Sequence, residues 1–440
     1  MTMMDQVGKR RSIRSTVSFM LSAWHDPAAR IFNLDLLLVL VVAALPWSTS
    51  IFSILMAIWL ISLMVTIDPR RFARFMSQPV CWLPVALFAL ALLGTLWSPA
   101  PWSERIHAAN PIAKFFALPF VLYHFGRSPR GTGVLVSFLT SCVLLLIMSF
   151  LVFYEPSLRL KPGEFTGLAG EPTRGIFVKN YIDQSQEFAV CAIALAYPIF
   201  HFFREGKVRQ ALLLCAIVLA FFANMAFVTV SRTALVTLPV MLAVFAVLHL
   251  RWKTAMIIFS GLILLTFLAW TASPSLRATT ERFTDDFQLY KQSNQPTSIG
   301  LRIEFWIKSV RFFSKAPVLG HGTGSTGNLF EKAKTGPETL AQAQVISNPH
   351  NQTLACAIQW GAVGVVILYA MWFAHLALFR GEGLMAWIGL LVVVQNMLTS
   401  LFNSHLMDFV PGWMYVLGVG IAGGAVLGAR GRQASGLESP

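Results

Sequence analysis

One histidine and a few arginines stand out as groups able to do chemistry in a chain that is otherwise 56% hydrophobic and only 12% charged. His350 lies in Ser347-Asn348-Pro349-His350-Asn351-Gln352, which closes a long polar segment and opens an apolar run from Leu354 to Leu378. Asn348 is a good N-cap and Pro349 fits the first helical position. His350 is therefore expected in the first turn of a membrane helix, at a water–lipid boundary. An ionisable group there is a candidate base; the plainer alternative is a snorkelling or satisfied imidazole. Arg232, in Ser231-Arg232-Thr233, falls between two apolar runs. Placing Arg well inside a span costs about 2.5–3.5 kcal/mol, and less at an interface. It reads either as a snorkelling side chain or as an anion clamp, because a guanidinium fork binds phosphate oxygens bidentately.

The polar segment before His350 carries further charge. From Arg302 to Lys315, Ile303, Trp306, Val310 and Phe313 recur at helical steps, while Lys308, Arg311 and Lys315 line another face. This spacing predicts an amphipathic helix with an aromatic, lipid-compatible side and a basic side. It suits a headgroup boundary. Pro317 ends it, and Gly320-His321-Gly322-Thr323-Gly324 allows a tight turn whose N–H groups could face an anion or a sugar. His321 and His350 lack the close His/Glu spacing of a zinc helix, so no metal site is expected.

These groups must be positioned by a membrane protein. At about 20 helical residues per 30 Å crossing, 440 residues allow about a dozen spans plus one sizeable polar segment. Twelve helices are expected, at 31–46, 49–66, 79–97, 111–126, 132–154, 186–203, 210–230, 234–250, 254–272, 351–378, 384–402 and 409–428. Basic residues collect in alternate connections: the 1–30 tail, Arg70-Arg71-Arg74, Arg127-Arg130, Arg204-Lys207-Arg209, Arg251-Lys253, Arg380 and Arg430-Arg432. The positive-inside rule then places both termini in the cytoplasm. Much of the net charge of +14 is thus topological and does not report nucleic-acid binding. The cytoplasmic connections are short and carry no phosphate-binding glycine motif, which excludes ATP-driven chemistry on that side. Three longer segments lie on the exported side: Ser98 to Asn110 with Glu104 and His107, Glu155 to Ser185 with Arg174, and Ala272 to Pro349, which is long enough to form its own helices. The expected organisation is a basic tail (1–30), nine spans (31–271), a large exported loop (272–349), three spans (350–428) and a C-terminal tail (429–440). The five cysteines all lie in apolar runs, so no disulfide framework is suggested.

Taken in order, Ser231-Arg232-Thr233, Arg302 with Trp306, Pro317 to Gly322, His350-Asn351, and Gly361-Ala362-Val363-Gly364 resemble the O-antigen ligase and polymerase superfamily of the bacterial envelope, best between about Tyr181 and Tyr369. His321 departs from the small residue the family often has in its glycine turn. The resemblance implies an all-α, GT-C-like membrane glycosyltransferase in the inner membrane, without metal, cofactor or ATP. It implies transfer of a finished glycan from undecaprenyl diphosphate to lipid A-core on the periplasmic face. Such a transfer needs charge stabilisation on the leaving diphosphate and a base for the acceptor hydroxyl. Arg174, Arg232 and Arg302 are the candidates for the first task and His350 for the second, with Asn351 beside it. Lys308 and Arg311 are assigned to phosphorylated core sugars or lipid headgroups. Gly361 and Gly364 are assigned to close helix packing, and the turn Asn403-Ser404-His405 with Asp408 to the wall of the same cavity. Three other activities stay open: an O-antigen polymerase, a protein O-oligosaccharyltransferase, and a secondary transporter. The last would usually show internal repeats and charges near the midplane.

Overall fold

The computed structural model describes residues 26–160, 175–229 and 232–434, and among them every regular element is helical. Helices α1 (Pro27–Ala44), α2 (Thr49–Met64), α3 (Pro69–Met76) and α4 (Pro79–Leu93) open the chain. A short α5 (Trp102–Ala109) and a 3-10 segment (Asn110–Phe116) lead into α6 (Leu118–Phe125) and α7 (Gly131–Tyr154). Then come α8 (Tyr181–Ala194), α9 (Ala196–Arg204), α10 (Val208–Phe227), α11 (Arg232–His249) and α12 (Trp252–Ala272). The long polar segment folds as α13 (Pro274–Ser293), α14 (Ser298–Lys315) and α15 (Ser325–Lys332). Three helices close the chain: α16 (Gln352–Leu378), α17 (Leu384–Thr399) and α18 (Phe409–Ala434).

All twelve apolar runs are helical, but fewer have the length of a full crossing. Seven helices among the described residues are long and apolar enough, or eight if α2 and α3, bent by 116°, form one broken span. The remaining runs are shorter or interrupted: α4 has 15 residues and α17 has 16, and the run at 111–126 is divided between seven residues of 3-10 helix and the eight of α6. At 1.5 Å per residue such pieces do not span the hydrocarbon alone.

The core is organised around α18, most of which is buried against α6 and α17. Glycine makes the closest of these approaches possible: a Cβ on Gly424 would sit 2.7 Å from Cβ of Phe125. Small residues at helix contacts let dispersion act over the whole interface, which matters where lipid offers no hydrophobic drive. At the other extreme, α12 has no buried residue and lies at the edge of the bundle.

Candidate functional site

The segment leading into α16 is built differently from its local sequence. The helix starts at Gln352, and its cap is Asn351, whose Oδ1 accepts from the Leu354 N–H at 3.0 Å. The Asn351 Nδ2 donates to the Leu401 carbonyl at 3.2 Å. Asn348 instead closes a turn, its Oδ1 accepting the His350 N–H at 2.9 Å. His350 therefore stands before the helix rather than in its first turn, with a left-handed φ of 53°. Both asparagines are good caps, and the one whose carboxamide reaches the first turn wins. Asn351, expected at the substrate, has its amide committed to the helix end and to Leu401. The left-handed backbone at His350 costs on the order of 1–2 kcal/mol, a strain that surrounding contacts must hold.

Those contacts also fix the imidazole. Its Nδ1 lies 2.9 Å from Asn403 Oδ1, and Asn403 Nδ2 donates to Asp408 Oδ2 at 2.8 Å. The carboxylate can only accept, so it orients the Asn403 amide with oxygen toward the ring. Nδ1 of a neutral His350 is then the donor, and the lone pair is on Nε2. Asn348 Nδ2 also donates to Asn403 Oδ1, and Ser404 donates to Asn348 Oδ1 at 2.8 Å. His405 Nδ1 shares the same Asp408 oxygen at 2.9 Å. Nε2 of His350 has no hydrogen-bond partner among the described residues. One ring face stacks on Phe305 of α14, centroids 6.2 Å apart.

Arg302 sits one turn before Phe305 on α14, near enough for its charge to act on His350. Its Nη1 donates to Ser298 Oγ at 3.2 Å. Burial, more than any neighbour, holds the His350 pKa below its ordinary value, and Arg302 and His405 push the same way. The Asn403 bond and the Asp408 charge oppose them. The net result favours the neutral ring that a base requires.

Beside this network opens a cavity of about 1060 Å³, whose wall includes Glu104, His107, Asn328, Lys332, Asn348 and Asp408. Its sides thus come from α5, α15 and the two turns that hold His350.

Other expected site residues fall elsewhere. Lys308 does not lie on an exposed basic face: it is 4% exposed, and its Nζ donates to the Gln342 carbonyl at 2.5 Å over the ring of Phe330. The buried face of α14 is Phe305, Lys308, Ser309 and Phe312, while Val310 of the aromatic stripe is exposed and free to meet lipid. Arg311 is exposed and more than two turns from Arg302. Arg232 opens α11, but its side chain, like Arg174 and the 1–25 tail, lies outside the described residues.

The glycine turn has a structural task. Gly361 breaks α16 with φ 61° and ψ −155°, exposing carbonyls that the turn uses. His321 and Gly322 N–H donate to the Ile358 and Gln359 carbonyls at 2.8 Å each, and Gly324 N–H donates to Gln359 Oε1 at 2.8 Å. These donors are not available to an anion or a sugar. A Cβ on Gly361 would collide with the Val318 carbonyl, so the two glycine motifs are halves of one contact.

Lys114 is a further residue of this region, and a lysine within the apolar run 111–126 is its signal in the sequence. It is buried, and its Nζ donates to the Asp408 carbonyl and reaches the Met407 carbonyl at 3.5 Å. It ties the 403–408 turn to the bundle.

Residues 215–369 match the family model described as O-antigen ligase. Over that stretch, about a third of the chain, the sequence is similar to the O-antigen ligase and polymerase superfamily. No curated protein matches the chain. The O-antigen ligase match takes in Arg232, Arg302, both glycine motifs and His350. Asn403 and Asp408, which orient His350, lie beyond its end. Its several long apolar helices and this similarity fit a multi-pass membrane protein.

Proposed function

We propose that the chain is an O-antigen ligase, transferring a glycan from undecaprenyl diphosphate to a sugar hydroxyl of lipid A-core on the periplasmic face of the inner membrane. His350 is the general base. Its Nε2 takes the proton of the acceptor hydroxyl as the hydroxyl oxygen bonds to the anomeric carbon. The bond from that carbon to the donor's diphosphate breaks, and the diphosphate leaves with the electron pair. Arg302, whose charge acts on the base, is assigned to the developing charge on the leaving oxygens, with Arg232 and Arg174 as further members of the clamp.

The observation that carries this reading is the chain Asp408–Asn403–His350, which turns the basic nitrogen away from its hydrogen-bonded partner next to a cavity of about 1060 Å³. That cavity is large enough for several sugar units. Geometry and a lowered pKa are the two properties a general base needs. Because arginines carry the charge of the leaving group, transfer is expected to continue in excess EDTA; loss on chelation with recovery on added magnesium would contradict this. The test of the acceptor is purified full chain with defined lipid-linked glycan and three acceptors in parallel: lipid A-core, a second lipid-linked glycan, and a protein hydroxyl substrate. Transfer to lipid A-core alone is expected. Elongation of the second lipid-linked glycan would make the chain a polymerase, and glycosylated protein an oligosaccharyltransferase.

A further inference from the structure

The end of the bundle that carries the basic connections holds three arginines from separate elements. Arg30 lies in the first turn of α1, Arg71 on α3, and Arg127 in the turn after α6. Arg127 feels the charges of both Arg71 and Arg30. Its guanidinium rests on the Tyr123 ring, 4.2 Å from the centroid. Phe72 and Phe75 of α3 pack edge-on against the same ring, and Phe72 also stacks on Phe120 at 4.9 Å. The result is an aromatic floor under a cationic rim.

Arginine at this end of a membrane protein is ordinary, but such side chains normally keep their N–H groups in water. Here Nε and Nη2 of Arg127 and Nε of Arg30 are buried and have no hydrogen-bond partner among the described residues. The Tyr123 hydroxyl, on a side chain 4% exposed, shares this condition. Asp68, an acidic charge that acts on Arg127, pairs with Arg71 at 3.5 Å while capping α3. Asp35 is already held by His124, Ser128 and Arg130. Asp26, one turn before Arg30, accepts from the Ala28 N–H at the start of α1. Among the described residues, no carboxylate pairs with the buried Arg30 and Arg127 donors. Burying a guanidinium without a counter-charge is costly, and α3 lies bent by 116° against α2, as expected of a helix along the headgroup plane.

We propose that Arg30, Arg127 and the Tyr123 hydroxyl form a binding site for the phosphate of an anionic phospholipid headgroup, flanked by Arg71. The guanidinium forks take the phosphate oxygens bidentately, and the aromatic floor meets the upper part of the acyl chains. The site is at the opposite end of the bundle from His350 and takes no part in transfer.

Native mass spectrometry of the full chain in detergent tests this, titrating dioleoyl phosphatidylglycerol, dioleoyl phosphatidylcholine or inorganic phosphate. Phosphatidylglycerol is expected to bind at least tenfold more tightly than either alternative. The Arg30→Gln/Arg127→Gln variant is expected to lose roughly tenfold or more of that affinity, the scale of a lost charged hydrogen bond. Arg74→Gln, on the exposed side of α3, is expected to bind as the parent does. Arg127→Lys keeps the charge without the fork, so weakened binding there supports the site even if the double variant does not fold. Equal binding of phosphatidylcholine would overturn the proposal. So would inorganic phosphate binding as tightly as the lipid, which would mean a free-anion site. Unchanged phosphatidylglycerol binding by Arg127→Lys and by a folded double variant would also overturn it.

Discussion

Asn403→Ala removes the acceptor of the His350 Nδ1–H while leaving the ring, Arg302 and the cavity wall in place. In the intact site Asn403 Oδ1 is 2.9 Å from Nδ1, and the amide is oriented by the 2.8 Å bond to Asp408. A hydrogen bond contributes about 1 kcal/mol net, and a buried donor left unsatisfied costs about 1–3 kcal/mol. At about 1.4 kcal/mol per tenfold, turnover should fall roughly ten- to a hundredfold. Loss of the base itself costs about 10²–10⁴-fold, so the variant should stand between the parent and His350→Ala. The pH dependence gives a second readout that a merely structural role would not move. The Asn403 bond raises the His350 pKa against burial and Arg302. Without it the pKa falls further, and a base is inactive only below its pKa. The acid limb of kcat/KM should therefore shift to lower pH, with the donor KM little changed. Glycan transfer from defined lipid-linked donor, measured across pH, would record both effects. Parent-like turnover with an unmoved acid limb would refute the reasoning. Adding Asn403→Ala to His350→Ala should cost nothing more, since the two act as one unit.

Three other outcomes are expected. Arg302→Ala should slow transfer roughly ten- to over a hundredfold, and Arg302→Lys should recover only part, because a point charge cannot reproduce the fork; full activity of the alanine variant would remove Arg302 from the clamp. Gly361→Ala forces a side chain onto φ 61° and against the Val318 carbonyl, so thermal unfolding should shift down by an amount equivalent to at least about 1–3 kcal/mol; an unshifted midpoint would mean the α16 break is not held as described. For His350 the folded pKa is depressed, so protons favour the unfolded chain: its contribution to stability is present above the ordinary histidine pKa of about 6.5 and is lost as pH falls through the folded value. His350→Gln should flatten that acid-side decline in thermal midpoint.

The helices were legible because an apolar run of membrane length leaves the backbone few alternatives, and Pro317 marked the end of α14 within two residues. His350 and Arg302 were legible as chemistry-bearing types, and Arg302 lies one turn along α14 from the Phe305 that stacks on His350. What sequence could not supply was long-range. Asn403 and Asp408 reach His350 across more than 50 residues, and no local pattern encodes that pairing. The choice between Asn348 and Asn351 as cap was degenerate locally, since either amide can close a turn. Lys308 read as basic surface because its charge dominates periodicity, whereas its stem packs with Phe330 and its amine finds the Gln342 carbonyl. The glycine turn read as an anion cradle because the break in α16 that consumes its N–H groups lies some 40 residues downstream.

The most direct test of the central claim is single-turnover transfer by His350→Ala, with donor binding measured on the same preparation. Saturating lipid-linked glycan and lipid A-core remove any contribution from affinity. The account predicts normal donor binding and transfer at least about a hundredfold slower than the parent, the scale of a lost general base. Near-normal transfer by a folded His350→Ala would contradict it, and lost donor binding with unchanged turnover at saturation would make His350 a binding residue instead.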